Sequence, residues 1–323
     1  MKTILVPTDF SECAEHALHY ACYIAEKVNA RIILLHVLAS AQPDVSFSEE
    51  EWMGRGWAGE STDVAVPAMM QLLKSTKKKM SRLMNLPKSK NIYMVDFIEI
   101  GNVGATINRA VKKHKADLIV MGTHGTSGLN EIFIGSNAEH IVRDAEVPVL
   151  SVKEGAEKPE IKKIVFATDF SEETELIFNS IKNFAEIFNA EVHMVKILTA
   201  PSLRKREQIN IMFEQLTKEI YYPNISSHIY YHDVREIGIR NFSETIHANL
   251  IALGTHGRHG LARFFRGSIA EGLVNHASFP VLTINFHKKQ LEEINKGKKF
   301  NPEEQIAENI IPETFYSGHI PSI

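Results

Sequence analysis

The chain has 323 residues, of which 44% are hydrophobic, and its formal net charge at pH 7 is −3. This composition is typical of an ordinary globular protein, and no apolar run approaches the roughly 20 residues that a membrane helix needs. The slightly acidic charge argues against a broad nucleic-acid interface, so we expect a cytoplasmic protein that binds neither membranes nor nucleic acids.

Short apolar runs alternate with amphipathic stretches along the first part of the chain. Strands are predicted near residues 2–8, 31–38, 92–100, 117–122 and 148–153. A helix is predicted over Glu12–Val28, and it carries both cysteines of the chain, Cys13 and Cys22. Their spacing suits neither a disulfide framework nor a zinc site, so we expect two free, buried thiols.

The second part of the chain repeats this order. Strands are predicted near residues 162–168, 191–198, 227–234, 249–254 and 280–285, and a helix near Glu173–Phe188. The repeat is visible in the residues themselves: 4–12 reappear as 164–172, 29–38 as 189–198, and 147–152 as 279–284. A period this long indicates two domains rather than a solenoid, because each copy is large enough to bury its own core.

The domain limits follow from composition. A polar segment with both Gly and Pro, residues 154–160, is typical of a linker. We therefore predict one domain over residues 1–153, a second over 161–285, and a C-terminal extension over 286–323. The apolar runs show little polar alternation, which favours two tandem, doubly wound, five-stranded parallel α/β sheets. The ligand crevice of such a sheet lies at the carboxyl ends of its strands.

The first domain is longer than the second. The interval from Asp9 to Gly122 exceeds that from Asp169 to Gly254 by 28 residues, which lie around 39–66 and include both tryptophans, Trp52 and Trp57. One interpretation is a lid or partner-docking element. The other is an insertion that packs its tryptophans on the neighbouring helix.

A glycine motif occurs at the same place in both halves. GTHG stands at 122–125 and at 254–257, each copy follows an apolar run, and nine residues later each is followed by Gly-Ser, at 135–136 and 267–268. A strand, a glycine turn and a glycine at a helix start favour a phosphate cradle, because glycine lets amide groups approach an anion. Both serines also precede a glutamate by three residues, so they form capping boxes as well.

These residues resemble the universal stress protein family in a tandem two-domain form. The family's nucleotide signature is G-x2-G-x9-G-[ST] after an apolar strand, paired with an aspartate at the end of the first strand, and both halves match it. The resemblance implies a Rossmann-like fold of the adenine nucleotide alpha hydrolase type. It also implies a ligand such as ATP or AMP, with Mg²⁺ or Mn²⁺ as the candidate accompanying ion.

The resemblance also implies roles for individual residues. Asp9 and Asp169 are expected against the nucleoside, and Val37 and Ile197 beside the adenine. Residues expected to border the ribose and phosphates are Gly122, His124, Gly125, Gly254, His256 and Gly257. Residues expected to offer amides or a hydroxyl to the phosphates are Gly135, Ser136, Asn137, Gly267, Ser268 and Ile269.

The two loops between the glycines differ in charge. The second contains Arg258, Arg263 and Arg266, whereas residues 126–134 of the first contain no Lys or Arg. If the sites differ, we expect the second to bind polyphosphate more tightly, through Arg258 and Arg266. The alternative is that these arginines are solvated surface charges.

The leading functional hypothesis is an ATP-binding, cytoplasmic stress-response sensor or regulator. A slow ATPase or nucleotidyl transferase is one alternative and an interaction scaffold without nucleotide is another, and no set of catalytic residues or metal ligands is predicted. Because final strands commonly pair domains in this family, we expect 147–152 and 279–284 to join into an intramolecular pseudo-dimer. A homodimer is a further alternative.

Overall fold

A computed structural model describes residues 1–39, 47–48, 65–86, 89, 91–123, 136–153, 159–170, 174–200, 203–256 and 269–286. The two tryptophans, the predicted linker except for its last two residues, and nearly all of the predicted C-terminal extension lie outside these ranges. Within them, no helix is both long and apolar enough to cross a membrane.

The first half alternates strands and helices as expected. Its elements are β1 (Thr3–Pro7), α1 (Glu12–Val28), β2 (Arg31–Ala39), β3 (Phe47–Ser48), α2 (Ala65–Met84), β4 (Met94–Gly101), α3 (Val103–His114), β5 (Leu118–Gly122), α4 (Ser136–Asp144) and β6 (Val149–Val152). The two-residue strand β3 was not predicted. It lies within the 39–66 segment and pairs antiparallel with β4.

The second half repeats the pattern, and its described residues include no counterpart of β3. Its elements are β7 (Lys163–Ala167), α5 (Thr174–Phe188), β8 (Glu191–Leu198), α6 (Leu203–Glu219), β9 (Ile225–Tyr231), α7 (Arg235–Thr245), β10 (Leu250–His256), α8 (Ile269–His276) and β11 (Val281–Phe286). The predicted α/β fold in two tandem halves, each with alternating strands and helices, is therefore confirmed.

The eleven strands of the described residues form one sheet, in the order β3-β4-β2-β1-β5-β6-β11-β10-β7-β8-β9. Pairing is parallel within each half except at β3, whereas β6 and β11 pair antiparallel, with Leu150 opposite Leu282. This is the contact between final strands that the sequence predicts. It joins the two halves into one continuous sheet.

Helices cover both faces of the sheet, which explains why most residues of the strands are apolar. Helices α1, α2, α5 and α6 bury one face, around residues such as Leu18, Met80 and Phe178. Helices α3, α4, α7 and α8 bury the other, around residues such as Ile107 and Leu273. Burial of this apolar surface is the main source of stability of such a fold.

The ends of the helices are marked by local signals in the sequence. Helix α1 begins after Ser11, whose hydroxyl accepts a hydrogen bond from the Ala14 amide at 3.2 Å, and ends at Asn29, which is left-handed (φ 53°). Asn189 after α5 has the same conformation (φ 50°) at the matching position. Asparagine adopts this conformation more readily than most residues, so these positions stop the helices.

Two polar side chains link the halves next to the shared strands. Lys153 follows β6 and donates to the Asn275 carbonyl in the last turn of α8. Asn285, the matching residue in β11, donates to the Val142 and Ala145 carbonyls at the end of α4, at 2.7 and 3.2 Å. We call these two contacts the reciprocal caps, because each half satisfies carbonyl groups at the end of the other half's last helix.

Candidate functional site

Sheet order brings the predicted nucleoside-binding residues to one edge in each half. Strand β1 lies between β2 and β5, and β7 lies between β8 and β10. Asp9 therefore lies just beyond β1, between Val37 of β2 and Gly122 at the end of β5. The second half arranges its corresponding residues, Asp169, Ile197 and Gly254, in the same way.

An unusual turn holds each aspartate. Phe10 and Phe170, the residues after Asp9 and Asp169, have φ values of 68° and 63°. An aromatic residue rarely adopts this left-handed conformation. In both turns a threonine hydroxyl, from Thr8 or Thr168, accepts a hydrogen bond from the phenylalanine amide at 3.1 Å.

These turns leave the carboxylates accessible. Both Asp9 and Asp169 are exposed, and Asp9 Oδ1 also accepts a hydrogen bond from the Ser11 amide at 2.9 Å. A strained residue that recurs at matched positions next to an exposed charged group is typical of a binding site. The aspartates were predicted from the sequence, but the threonines and the left-handed phenylalanines were not.

The first glycine of each GTHG motif packs against a helix. A Cβ at Gly122 would lie 2.5 Å from the Cys13 carbonyl carbon and 2.6 Å from the Ala14 nitrogen, both in the backbone of α1. At Gly254 it would meet the end of the Ile177 side chain of α5. Close packing between strand and helix is thus sufficient to explain these glycines, and their contact with a ligand stays a prediction.

The threonine that follows each glycine is buried. Thr123 donates its amide to the Val152 carbonyl at 2.9 Å, which ties the end of the GTHG strand to β6. Thr255 lies opposite Asn285 in the pairing of β10 with β11. The start of each motif is therefore anchored to the strand that joins the two halves.

The rest of the predicted phosphate site is only partly covered by the structure. Asn137 is exposed in the first turn of α4, and Ile269 is half-buried at the start of α8. Ser136 is the first residue of α4, and His256 is the last residue of β10, where it pairs with Phe286 of β11. Predicted residues outside the described ranges are His124, Gly125, Gly135, Gly257, Arg258, Arg266, Gly267 and Ser268.

The residue before Val37 and Ile197 differs between the halves. His36 in β2 donates from Nδ1 to the Thr8 carbonyl at 2.7 Å, and its ring lies 4.5 Å from that of Phe10. Burial lowers the pKa of His36, and this effect outweighs the hydrogen bond to Thr8 and the nearby Asp9 carboxylate. An imidazole with a lowered pKa is neutral at pH 7.

Lysine occupies the matching position in the second half. Lys196 Nζ donates to the Asp169 carbonyl at 2.8 Å and lies 5.5 Å from the centre of the Phe170 ring. Burial lowers the pKa of Lys196, and the Asp169 carboxylate opposes that effect. In the first half Lys79 Nζ lies 5.2 Å from the centre of the Phe10 ring, so each site has an ammonium group beside its left-handed phenylalanine. Sequence reasoning did not predict these lysines.

Within the part of the chain that the structure describes, no three His, Cys, Asp or Glu side chains come together in a way that could hold a metal ion. Cys13 and Cys22 are both buried thiols rather than a disulfide, as predicted, and Cys22 Sγ lies 3.8 Å from Ser89 Oγ.

Comparison with known proteins agrees with this architecture. The model of the "Universal stress protein family" matches residues 1–153 and 160–285. A universal stress protein of Methanocaldococcus jannaschii is 29% identical over 153 residues, which cover 47% of this chain and 94% of that protein. One from Synechocystis is 23% identical over 297 residues, covering 88% of this chain and 99% of that protein.

A solved structure shows the same fold over nearly the whole chain. It is a universal stress protein from Archaeoglobus fulgidus, with a TM-score of 0.65 and 20% sequence identity, and the match covers 88% of this chain and 98% of that one. The family match extends over both halves of the chain, each of which carries an exposed aspartate beside a glycine turn. The chain belongs to the universal stress protein family.

Proposed function

We propose that each half of the chain binds an adenine nucleotide, ATP or AMP, at the carboxyl edge of its sheet. The observation that carries this proposal is the pair of exposed aspartates, Asp9 and Asp169, held by matching left-handed turns beside the glycine ends of β5 and β10. Both halves also carry the signature of the family members that bind ATP.

The chemistry of these groups favours one orientation of the nucleotide. An ionised carboxylate accepts hydrogen bonds and repels phosphate, so the aspartates face the nucleoside, whose hydroxyl and amino groups are donors. The phosphates face the glycine loops and the first turns of α4 and α8, where unpaired amides and the helix dipole favour an anion. Mg²⁺ or Mn²⁺ would be carried by the phosphate oxygens, because such hard cations prefer oxygen ligands and the aspartates face the nucleoside.

Nucleotide binding of this kind suits a cytoplasmic sensor or regulator of the stress response. Occupancy by ATP or AMP would alter which surfaces of the protein are available to partners. The sites are not equivalent, because the second loop contains three arginines whereas the first contains Glu131 and no Lys or Arg. We infer that the second site binds ATP more tightly than the first.

The proposal is tested by titrating the nucleotide-free full chain with ATP and with AMP in a calorimeter. Asp9→Asn and Asp169→Asn should each weaken one site by about tenfold or more, because a hydrogen bond to a charged group contributes about 1.5–3 kcal/mol. The double variant should lose both sites. Glu26→Gln removes an exposed carboxylate near the other end of α1 and serves as the matched control.

Other outcomes would identify a different function. If the wild type neither co-purifies with nucleotide nor shows a thermal shift with ATP, the protein is an interaction scaffold. Steady ATP hydrolysis that Asp169→Ala abolishes would instead identify a slow ATPase. Equal ATP affinity in the wild type and in a variant with neutral residues at 258 and 266 would contradict the inferred difference between the sites.

A further inference from the structure

A cluster of polar side chains lies between β8 and β9, at the opposite end of β8 from Ile197. His193 Nδ1 lies 3.2 Å from His228 Nε2, and the Ser226 hydroxyl oxygen lies 2.9 Å from each of these nitrogens. His193 Nε2 faces Glu191 Oε2 at 3.3 Å. We call these four residues the histidine cluster.

The fold itself does not require polar residues at these positions. Register pairs His193 with Ser226 and Val195 with His228 in the second half. The first half pairs Ile33 with Val95 and Leu35 with Phe97 at the same places. His193, Ser226 and His228 thus occupy the positions of Ile33, Val95 and Phe97 in the first half. Those three residues pack into the apolar core.

The side chains form a compact set of lone-pair donors. Their three atoms, two nitrogens and one oxygen, are separated by 2.9 to 3.2 Å. Ligand atoms about 2.0–2.1 Å from a tetrahedral metal ion are about 3.3 Å apart, so the triangle is only slightly tighter than one face of such a site. The His193 side chain is 15% exposed, so the donors lie close to the surface without being fully open to water.

Glu191 completes an arrangement that is common around metal ions. A histidine that binds metal through one ring nitrogen usually donates the other N–H to a carboxylate, which fixes its tautomer. Donation from His193 Nε2 to Glu191 leaves Nδ1 with its lone pair directed towards the triangle. Glu191 is largely exposed, with 58% of its side chain accessible, so it orients the ring without adding a buried charge.

We propose that the histidine cluster binds a divalent transition metal ion such as Zn²⁺. His193 Nδ1 and His228 Nε2 are the ligands, Ser226 is a weak third donor, and water completes the coordination. Imidazole nitrogen suits Zn²⁺, Ni²⁺ and Cu²⁺, whereas Mg²⁺ and Ca²⁺ prefer oxygen. Only two of the donors are imidazoles and no carboxylate binds the ion directly, which agrees with the lack of a three-residue His, Cys, Asp or Glu group among the described residues.

The first half supplies the variants for the test. His193→Ile and His228→Phe introduce the residues that occupy these positions in the first half, so the double variant should fold, which circular dichroism can verify. The full chain, stripped with chelator, is titrated with ZnCl₂ in a calorimeter. The wild type should bind one more Zn²⁺ ion than the double variant.

A matched control accounts for the other histidines of the chain. His114→Ile also removes one imidazole in favour of the residue at the matching position of the other half, Ile246, and it should bind Zn²⁺ like the wild type. Glu191→Gln keeps both histidines but removes the carboxylate that orients His193. The affinity of the extra site for Zn²⁺ should fall about tenfold, which is the lower end of the usual effect of losing such a hydrogen-bond partner.

Identical Zn²⁺ binding by the wild type and the double variant would overturn the proposal. If the wild type and the double variant bind the same number of Zn²⁺ ions with the same affinity, the histidine cluster is a hydrogen-bonded chain from His228 through Ser226 and His193 to Glu191. An unchanged affinity of Glu191→Gln for the extra ion would contradict the assigned role of that carboxylate.

Discussion

Single residues at the candidate nucleotide site are constrained by contacts that their own sequence context does not reveal. Phe10 and Phe170 are left-handed although aromatic residues disfavour that conformation, and each is held by a threonine two positions earlier. Gly122 is required because the backbone of α1 passes beside it. The motif could be recognised from the sequence, but these reasons for it come from tertiary structure.

The two motif glycines should differ in their tolerance of a methyl group. Gly122→Ala places a Cβ against the backbone of α1, so we expect a loss of about 3 kcal/mol in the free energy of unfolding, at the upper end of overpacking costs. Gly254→Ala meets the Cδ1 and Cγ1 atoms of Ile177 rather than backbone, and a side chain shifts more easily than a helix backbone, so we expect a smaller loss of about 1 kcal/mol. Urea denaturation of both variants measures the difference.

Each variant serves as the other's control, because the positions match in the two halves. Equal losses of stability at both positions would contradict the inference that the backbone of α1, rather than a side chain, leaves no room for a Cβ at Gly122. A larger loss at Gly254 would show that Ile177 has no alternative rotamer.

At the scale of elements, prediction succeeded wherever hydrophobic periodicity and end signals agreed. Helix α1 spans Glu12–Val28 as predicted, because its apolar stripe is bounded by the cap at Ser11 and a left-handed asparagine. Strand β9 was predicted near residues 227–234 but spans Ile225–Tyr231. That shift left Ser226 outside the predicted strand, so the histidine cluster could not be recognised from the sequence.

Strand β3 illustrates a different limit. Two residues, Phe47 and Ser48, are too short for any periodicity, and their pairing with β4 depends on tertiary contacts. The reciprocal caps were missed for the same reason, since Lys153 and Asn285 look like ordinary polar residues at strand ends. Only the antiparallel pairing of β6 and β11 brings them to the opposite helices.

The lysine that caps α8 from the end of β6 should make stability depend on pH. Burial, together with nearby Arg240, lowers the pKa of Lys153 from 10.5 to about 8. Below pH 8 the lysine is charged in both the folded and the unfolded chain, and the cost of burying the charge is present in full. Between pH 8 and 10.5 only the unfolded chain keeps the proton, so this cost is progressively lost and stability rises.

This dependence can be isolated by comparison with Lys153→Met. Relative to that variant, we expect the wild type to gain about 2 kcal/mol in the free energy of unfolding between pH 7.5 and pH 10. Urea denaturation at the two pH values measures the change, and Lys27→Met provides a control at an exposed lysine. A difference that does not change with pH would show that Lys153 is not a buried ammonium.

At the scale of the whole molecule, the shared sheet makes the two halves one structural unit. Residues of both halves contribute to each of the two cores on the faces of the sheet. The reciprocal caps add polar contacts across the same boundary. We therefore expect the halves to unfold together.

Asn285→Ala tests this coupling. The change leaves the Val142 and Ala145 carbonyls at the end of α4 without their donor, so we expect a loss of about 2 kcal/mol in the free energy of unfolding. Hydrogen exchange should report the loss for core amides of both halves. Asn224→Ala, which removes a hydrogen bond to Asn189 at the surface, should change little.

A loss of protection confined to residues 161–286 in Asn285→Ala would show that the halves are separate folding units. Separate transitions monitored in the two halves during urea denaturation would lead to the same conclusion.

The antiparallel contact between β6 and β11 also has a consequence for stoichiometry. Strands that would pair two chains in a dimer are here satisfied within one polypeptide, so dilution cannot separate the two candidate sites. The two sites are therefore present in a one-to-one ratio at any protein concentration. Self-association through strands would have to use the outer ends of the described sheet, at β3 and β9, where the duplicated halves no longer resemble each other.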